Sequence, residues 1–139
     1  MLKVTELMIN DWVRISGSDF RVMEIKKKGV IKLYDIVLGR EHQIDFNTDY
    51  LEEFLEPIPL TGEILEKIGF KERNPLFGNK EYISDFHVML RSWNNGESFN
   101  YHFYEPVNGR DCWFPHEVRY VHELQHYFKD CKLEKEIVL

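Results

Sequence analysis

Two Asn-Gly dipeptides, Asn95-Gly96 and Asn108-Gly109, constrain the fold of this 139-residue chain more than any other feature. Asn-Gly favours two-residue hairpin turns because both of its residues tolerate a positive φ angle. Alternating apolar residues flank the first dipeptide, and a shorter run follows the second. The sequence therefore predicts a three-stranded antiparallel meander, with strands at residues 86–93, 98–104 and 110–114.

The predicted meander has two different faces, because successive side chains of a strand point to opposite sides. A two-residue loop places Leu90 opposite Tyr101 and Val88 opposite Phe103, and these four side chains belong to the core face. The other face combines aromatic rings, Arg and His, as recognition surfaces do. The candidate binding surface consists of Arg91, Trp93, His102 and Tyr104. The alternative is that another part of the protein, or another subunit, covers this face.

The first half of the chain predicts short strands separated by turn residues. The apolar runs lie at residues 11–15, 20–25, 30–37 and 43–46. Four or five short strands without a helical pattern predict a small SH3-like β-barrel or a rolled sheet. Lys26-Lys27-Lys28, next to Gly29, is typical of a solvated hairpin tip. The alternative is that these lysines contact phosphate or an acidic partner.

A Pro-Ile-Pro segment at residues 57–59 separates this part from a helix that Thr61 caps and Gly69 ends. A last helix is predicted at residues 117–131. The predicted fold class is therefore α+β. The predicted modules are 1–56, which is barrel-like, and 57–139, which holds the helix, the meander and the C-terminal helix. The alternative is that the two pack as a single domain.

Composition and charge narrow the classes of function. The formal net charge is −6, which disfavours sequence-independent binding to nucleic acid or to anionic lipid. No stretch has the length or apolarity of a signal peptide or a membrane span. Two cysteines, Cys112 and Cys131, are too few for a disulfide framework. We expect a cytoplasmic protein without a cofactor.

His122-Glu123-Leu124-Gln125-His126 matches the zinc-hydrolase pattern H-E-x-x-H. Histidines four residues apart on a helix can hold one zinc ion while the intervening Glu activates water. At 100° per residue, however, both histidines fall outside the apolar stripe of Val121, Leu124, Phe128 and Cys131, and we expect them to face water. A third ligand at a recognisable spacing is also missing. We therefore predict no metal site, and a zinc hydrolase using His122, Glu123 and His126 is the alternative.

Three segments together resemble a known group of sequences. They are residues 7–13 (LMINDWV), 56–70 (EPIPLTGEILEKIGF) and 119–125 (RYVHELQ). In this order they are similar to a family of uncharacterised small proteins of gut Bacteroidetes, which occur often in prophages and mobile elements. In that family the position that matches His126 is commonly Asn, which implies that the helix does not depend on a metal. The resemblance implies no activity.

We therefore expect a bacterial, non-enzymatic binding or interaction protein, and the resemblance implies an accessory factor of a prophage or mobile element. Its partner would be an unknown protein or a second copy of the chain. A further alternative is a nucleic-acid-binding accessory protein that uses Arg91, Trp93 and Tyr104 or the lysine tip. A membrane partner is not expected, and nucleic acid is disfavoured by the net charge.

Overall fold

A computed structural model of the chain describes residues 2–3, 6–27, 29–46, 55–73, 79–105, 110–133 and 135–139. The chain divides into two compact units, Met1–Ile58 and Pro59–Leu139. Each unit contains a five-stranded antiparallel sheet, and the second also contains two helices, which confirms the α+β class. The separation into modules 1–56 and 57–139 stays a prediction. Within the described ranges, no helix is long and apolar enough to cross a membrane.

The first unit is a meander with one strand added at its edge. Its strands are hydrogen-bonded in the order β4-β3-β2-β1-β5. Glycines with positive φ angles form the first two turns, Gly17 at +84° and Gly29 at +82°. The strands are β1 (Trp12–Ile15), β2 (Ser18–Lys27), β3 (Val30–Asp35), β4 (Arg40–Asp45) and β5 (Leu55–Pro57).

These strands form an open sheet. A barrel closes only when its outermost strands pair, and among the described residues β4 pairs only with β3 while β5 pairs only with β1. The barrel form of the prediction is therefore wrong for this part of the chain, and the SH3-like topology stays a prediction. The register of β2 against β3 shifts between Val22 and Glu24 and between Ile25 and Lys27, and such bulges bend a strand. The core comprises Leu2, Leu7, Val13, Val22, Ile31, Leu33, Phe46 and Leu55.

Helix α1 (Gly62–Ile68) opens the second unit and has the predicted caps. The Thr61 side chain accepts the backbone N–H of Ile64 at 3.3 Å, which satisfies one of the free donors of the first turn. Gly69 ends the helix with a φ of +117°, a conformation that costs glycine little. The Phe70 N–H then bonds back to the Leu65 carbonyl at 2.9 Å.

The predicted meander is part of a larger sheet. Leu90 lies opposite Tyr101 and Val88 opposite Phe103, which confirms the predicted register. The predicted strands 86–93 and 98–104 extended too far at the turn, because pairing stops at Arg91 and Asn100 and residues 93–99 connect the two strands in place of a two-residue loop. The two strands that complete the larger sheet were missed because they are only three and four residues long and show no alternation of apolar and polar residues. The Asn108-Gly109 turn lies outside the described residues. The strands, in spatial as well as sequence order, are β6 (Lys71–Arg73), β7 (Lys80–Ile83), β8 (Val88–Ser92), β9 (Asn100–Glu105) and β10 (Arg110–Trp113).

Helix α2 (Val121–Asp130) covers one face of this sheet. The apolar stripe predicted for it is largely buried, with Val121, Leu124 and Phe128 at 2% exposure or less. The rings of Tyr127 and Phe128 contact that of Tyr101, with centroids 5.0 and 6.4 Å apart. The predicted helix began too early, because Val118 pairs with Phe99 and Tyr120 with Pro59 in isolated β-bridges.

Candidate binding surface

The second sheet has one face that its own helices do not cover. Leu90 and Tyr101 belong to the face that packs on α2, so residues that alternate with them lie on the opposite face, which we call the outer face. Cross-strand pairing brings its side chains into two rows. The first row is Lys71, Ile83, Met89, His102 and Trp113; the second is Arg73, Glu81, Arg91 and Asn100.

Arg91 lies at the centre of the outer face, between two tryptophans. Its guanidinium carbon is 5.7 Å from the ring centroid of Trp93 and 5.3 Å from that of Trp113. Both distances are within the range of a cation–π interaction. Trp93 is 62% exposed and Trp113 is 45% exposed, so large areas of both rings remain accessible to a partner.

A buried carboxylate holds this arginine from the neighbouring strand. Glu81 is 3% exposed, and its Oε1 lies 3.6 Å from a guanidinium nitrogen of Arg91. The same oxygen accepts a hydrogen bond from Arg73. Charge-assisted hydrogen bonds fix geometry more firmly than neutral ones. Glu81 therefore positions the Arg73 guanidinium through a hydrogen bond and holds the Arg91 guanidinium nearby through an ion pair.

His102 and Tyr104 complete the predicted set, but they differ in accessibility. The His102 ring stacks on Trp113 at 4.3 Å and 17°, and it also contacts Tyr104 at 5.7 Å. His102 is buried and Tyr104 is exposed. His102 therefore supports the rings of its neighbours, while Tyr104, which also contacts the His87 ring at 5.5 Å, presents its own surface.

The structure thus gathers all four predicted residues on one face and adds three that the sequence analysis missed. Trp113 could have been identified from the predicted Asn108-Gly109 turn, because a two-residue turn there pairs Trp113 with Tyr104 and so places it on the same face. The structure pairs Trp113 with His102, which also lies on that face. Arg73 and Glu81 lie on the short strands β6 and β7, which have no alternating pattern to reveal them.

The H-E-x-x-H segment forms the first turns of α2, and one of its predicted orientations is wrong. His122 is only 6% exposed, whereas we expected it to face water. The helical wheel assumes that a helix is buried along a single stripe. The segment just before α2, however, forms β-bridges from Val118 to Phe99 and from Tyr120 to Pro59. The Tyr120 ring also stacks on the His122 ring, with centroids 6.0 Å apart. His126 is half-buried, with its ring centroid 5.6 Å from that of His122.

Glu123 has a structural task in this segment. Its carboxylate accepts the backbone N–H groups of Arg119 at 3.0 Å and Tyr120 at 3.1 Å, as the acidic residue of a capping box does. Within the described ranges no three His, Cys, Asp or Glu side chains are grouped to hold a metal ion. The absence of metal binding nevertheless stays a prediction.

The lysine tip lies in the first unit, at the turn between β2 and β3 as predicted. Lys26 and Lys27 are exposed, and Lys28 lies outside the described residues. Among the described residues, neither Lys26 nor Lys27 makes a cation–π contact. The side chains of Lys26 and Lys27, at the end of β2, are therefore solvated.

No family model, no curated protein and no solved structure matches the chain.

Proposed function

We propose that this chain is a non-enzymatic binding protein and that the outer face of its second sheet contacts the partner. The observation that carries the proposal is the position of Arg91 between the exposed rings of Trp93 and Trp113. Trp, Tyr and Arg dominate the binding energy of protein interfaces because they bury large, rigid or multiply hydrogen-bonding groups. A cluster of them that remains accessible is uncommon on a surface with no binding task.

The charge of this face favours a partner with acidic groups. This face carries three cationic residues, Lys71, Arg73 and Arg91. Among its described side chains, Glu81 is the carboxylate, although the chain as a whole has a net charge of −6. Opposite charges at an interface increase the association rate and select partners. The proposed partner is therefore a protein that presents carboxylates beside an apolar patch. Because the chain itself is acidic, a second copy is one form that this partner can take.

The outer face also supports a second candidate, single-stranded nucleic acid. Bases stack on exposed aromatic rings, and arginines contact the backbone, in proteins that bind single strands. Trp93 and Trp113 on either side of Arg91 provide both elements. The net charge of −6 weighs against this candidate, because it repels a polyanion at long range.

Two further parts of the proposal extend beyond the outer face. The strand order β4-β3-β2-β1-β5 and the bulged β2 support an SH3-like module in the first unit. The role of an accessory factor in a prophage or mobile element is supported by the three segments that resemble the Bacteroidetes family. Neither part assigns a partner.

The test compares variants of the outer face for binding. The wild-type chain is analysed for self-association by sedimentation and is then used as immobilised bait in a lysate of its native host. Trp93→Ala and Arg91→Ala should each weaken the contact by about tenfold or more, as hot-spot residues do. Leu38→Ala is the matched control, because Leu38 is also 62% exposed but lies in the first unit. Binding that survives both outer-face variants would contradict the proposal.

Salt dependence separates the protein partner from the nucleic acid. Binding of a single-stranded oligonucleotide would weaken steeply as salt increases, because each neutralised phosphate releases counterions. A protein that stays bound to the bait after the lysate has been treated with nuclease supports the first candidate, a protein partner. Oligonucleotide binding that disappears with Trp93→Ala would support the second.

A further inference from the structure

The open edge of β10 differs from the other edges that the described strands form. Edge strands usually avoid pairing with other chains because charged residues or prolines interfere with it. The residues of β6 are exposed and charged, and the first four residues of β4 are exposed and polar. Strand β5 ends in Pro57, which has no backbone N–H to offer. Each of these three strands is therefore protected against pairing.

Strand β10 lacks this protection at its C-terminal end. Cys112 lies opposite Phe103, on the face of the sheet that packs on α2, and yet it is exposed. Trp113 lies on the outer face and is 45% exposed. Apolar side chains are therefore accessible on both faces of this edge, where a strand from another chain would pack against them.

The hydrogen bonds of β9 show how its two neighbours are attached. The Phe114 N–H donates to the Tyr101 carbonyl at 2.9 Å, in continuation of the register between β10 and β9. On the other side of β9, the Tyr104 N–H donates to the His87 carbonyl at 3.0 Å. Residues of an antiparallel strand bond alternately to one neighbour and to the other. The odd-numbered residues of β9 therefore bond to β10, and the even-numbered residues bond to β8.

The same alternation identifies the open backbone groups of β10. Cys112 lies opposite the odd-numbered Phe103, so its N–H and C=O groups point to β9. Asp111 and Trp113 lie opposite even-numbered residues, so their N–H and C=O groups point away from β9. Among the described residues, no strand and no other backbone group pairs with them. The open edge thus has two bonding positions, one on each side of Cys112.

We propose that β10 pairs with β10 of a second copy of the chain, antiparallel and about a twofold axis at Cys112. In this register Asp111 of each copy exchanges backbone hydrogen bonds with Trp113 of the other copy. The edge is therefore complementary to itself, as a twofold interface requires. Like charges do not meet, because Arg110 lies opposite Phe114 and Asp111 opposite Trp113. The contact uses the backbone of β10, so it does not rest on the proposed function of the outer face.

Substitutions at Asp111 test the pairing by sedimentation. Asp111→Pro removes an N–H that points away from β9, and an edge strand tolerates proline at such a position. It should raise the dissociation constant of the dimer about tenfold or more, because hydrogen bonds are lost at both symmetry-related positions. Asp111→Ala is the matched control, since it loses the same carboxylate but keeps the N–H, and it should dimerise like wild type. Circular dichroism verifies that both variants are folded.

Disulfide trapping locates the twofold axis. Opposite residues that do not exchange hydrogen bonds have Cα atoms about 4.5 Å apart, a separation that a disulfide can bridge. With copper phenanthroline as the oxidant, the Cys131→Ser chain should form a dimer linked through Cys112. A second chain carries Leu38→Cys, Cys112→Ser and Cys131→Ser, and it reports random collisions because Leu38 is 62% exposed. The first chain should crosslink about tenfold faster, since pairing holds its thiols at a high effective concentration.

Trp93→Ala separates this contact from the proposed outer-face contact. Trp93 is not part of β10, so the variant should keep the dimer, and the outer face is then judged by the partner retained from the lysate. Edge pairing is overturned if the wild-type chain stays monomeric up to about 1 mM or if folded Asp111→Pro dimerises like wild type. It is also overturned if Trp93→Ala abolishes the dimer or if Cys112 crosslinks no faster than the Leu38→Cys control.

Discussion

The carboxylate of Glu123 accepts a hydrogen bond from the backbone N–H of Tyr120, the residue immediately before α2, at 3.1 Å. It also accepts the N–H of Arg119 at 3.0 Å. A backbone donor at the start of a helix has no partner within the helix, so a side chain that accepts from it stabilises the helix end. The central Glu of the H-E-x-x-H segment thus has a structural explanation that needs no metal.

Replacement of Glu123 tests this explanation directly. Glu123→Ala should lower the free energy of unfolding by about 0.5–2 kcal/mol, as the loss of a helix cap does. Glu123→Gln keeps an oxygen that can accept the same hydrogen bonds, and it should cost less. Urea unfolding followed by circular dichroism measures both. Two variants as stable as the wild type would mean that the cap contributes nothing.

Metal content provides the second prediction. Protein purified without added metal and without an affinity tag should contain well under one zinc ion per chain. Catalytic zinc needs three protein ligands and an open position, whereas His122 is nearly buried and Glu123 accepts two backbone N–H groups. Elemental analysis is the measurement. Stoichiometric zinc that disappears with His122→Ala or His126→Ala would refute the prediction, and hydrolysis abolished by Glu123→Gln with the metal retained would establish the alternative.

The parts of the fold that depend on residues adjacent in sequence could be predicted from the sequence. Asn95 and Gly96 have φ angles of +61° and +89°, which is why the dipeptide set the register of Leu90 against Tyr101. The caps at Thr61 and Gly69 were predictable for the same reason. The strands β6 and β7 were not, because segments of three and four residues without an alternating pattern become strands only when a neighbouring strand offers hydrogen bonds.

In the candidate site, too, local features could be predicted from the sequence and tertiary features could not. Strand alternation placed Arg91, Trp93, His102 and Tyr104 on one face, because a period of two is a local property. Burial is not local, and the sequence did not distinguish buried His102 from exposed Tyr104.

The two cysteines should differ in reactivity. Burial raises the pKa of the Cys131 thiol, and it lies 3.6 Å from the Tyr101 hydroxyl, whereas Cys112 is exposed. A thiol reacts as its thiolate, so a raised pKa slows alkylation at a given pH. In native protein at pH 8, iodoacetamide should therefore modify Cys112 several-fold faster than Cys131. Cys112→Ser should remove the fast phase, and two equal rates in the native state would contradict the prediction.

Alkaline pH should destabilise the protein through Tyr101. Burial raises the pKa of Tyr101 far above its usual value, while in the unfolded chain tyrosine ionises near pH 10. Above about pH 10 the unfolded state therefore binds fewer protons than the folded state, and stability falls as pH rises. Tyr101→Phe should reduce this slope in urea titrations between pH 9 and 11. Tyr104→Phe, at an exposed position, is the control. If Tyr101→Phe reduces the slope no more than Tyr104→Phe does, the prediction is refuted.

The last prediction concerns what Trp93 does. Trp93 is 62% exposed and its ring contacts the Arg91 guanidinium, whereas Trp12 is 1% exposed. An exposed cation–π contact contributes about 0.5–1 kcal/mol, so Trp93→Ala should lower the free energy of unfolding by no more than that. Trp12→Ala, which empties a buried site, should lower it by about 3–5 kcal/mol.

The same Trp93 variant should weaken self-association or partner binding far more than it weakens folding. Urea unfolding and sedimentation, performed on the same preparation, compare the two effects. If Trp93→Ala loses as much stability as Trp12→Ala, the ring belongs to the core of the protein, and the outer face is not the contact surface.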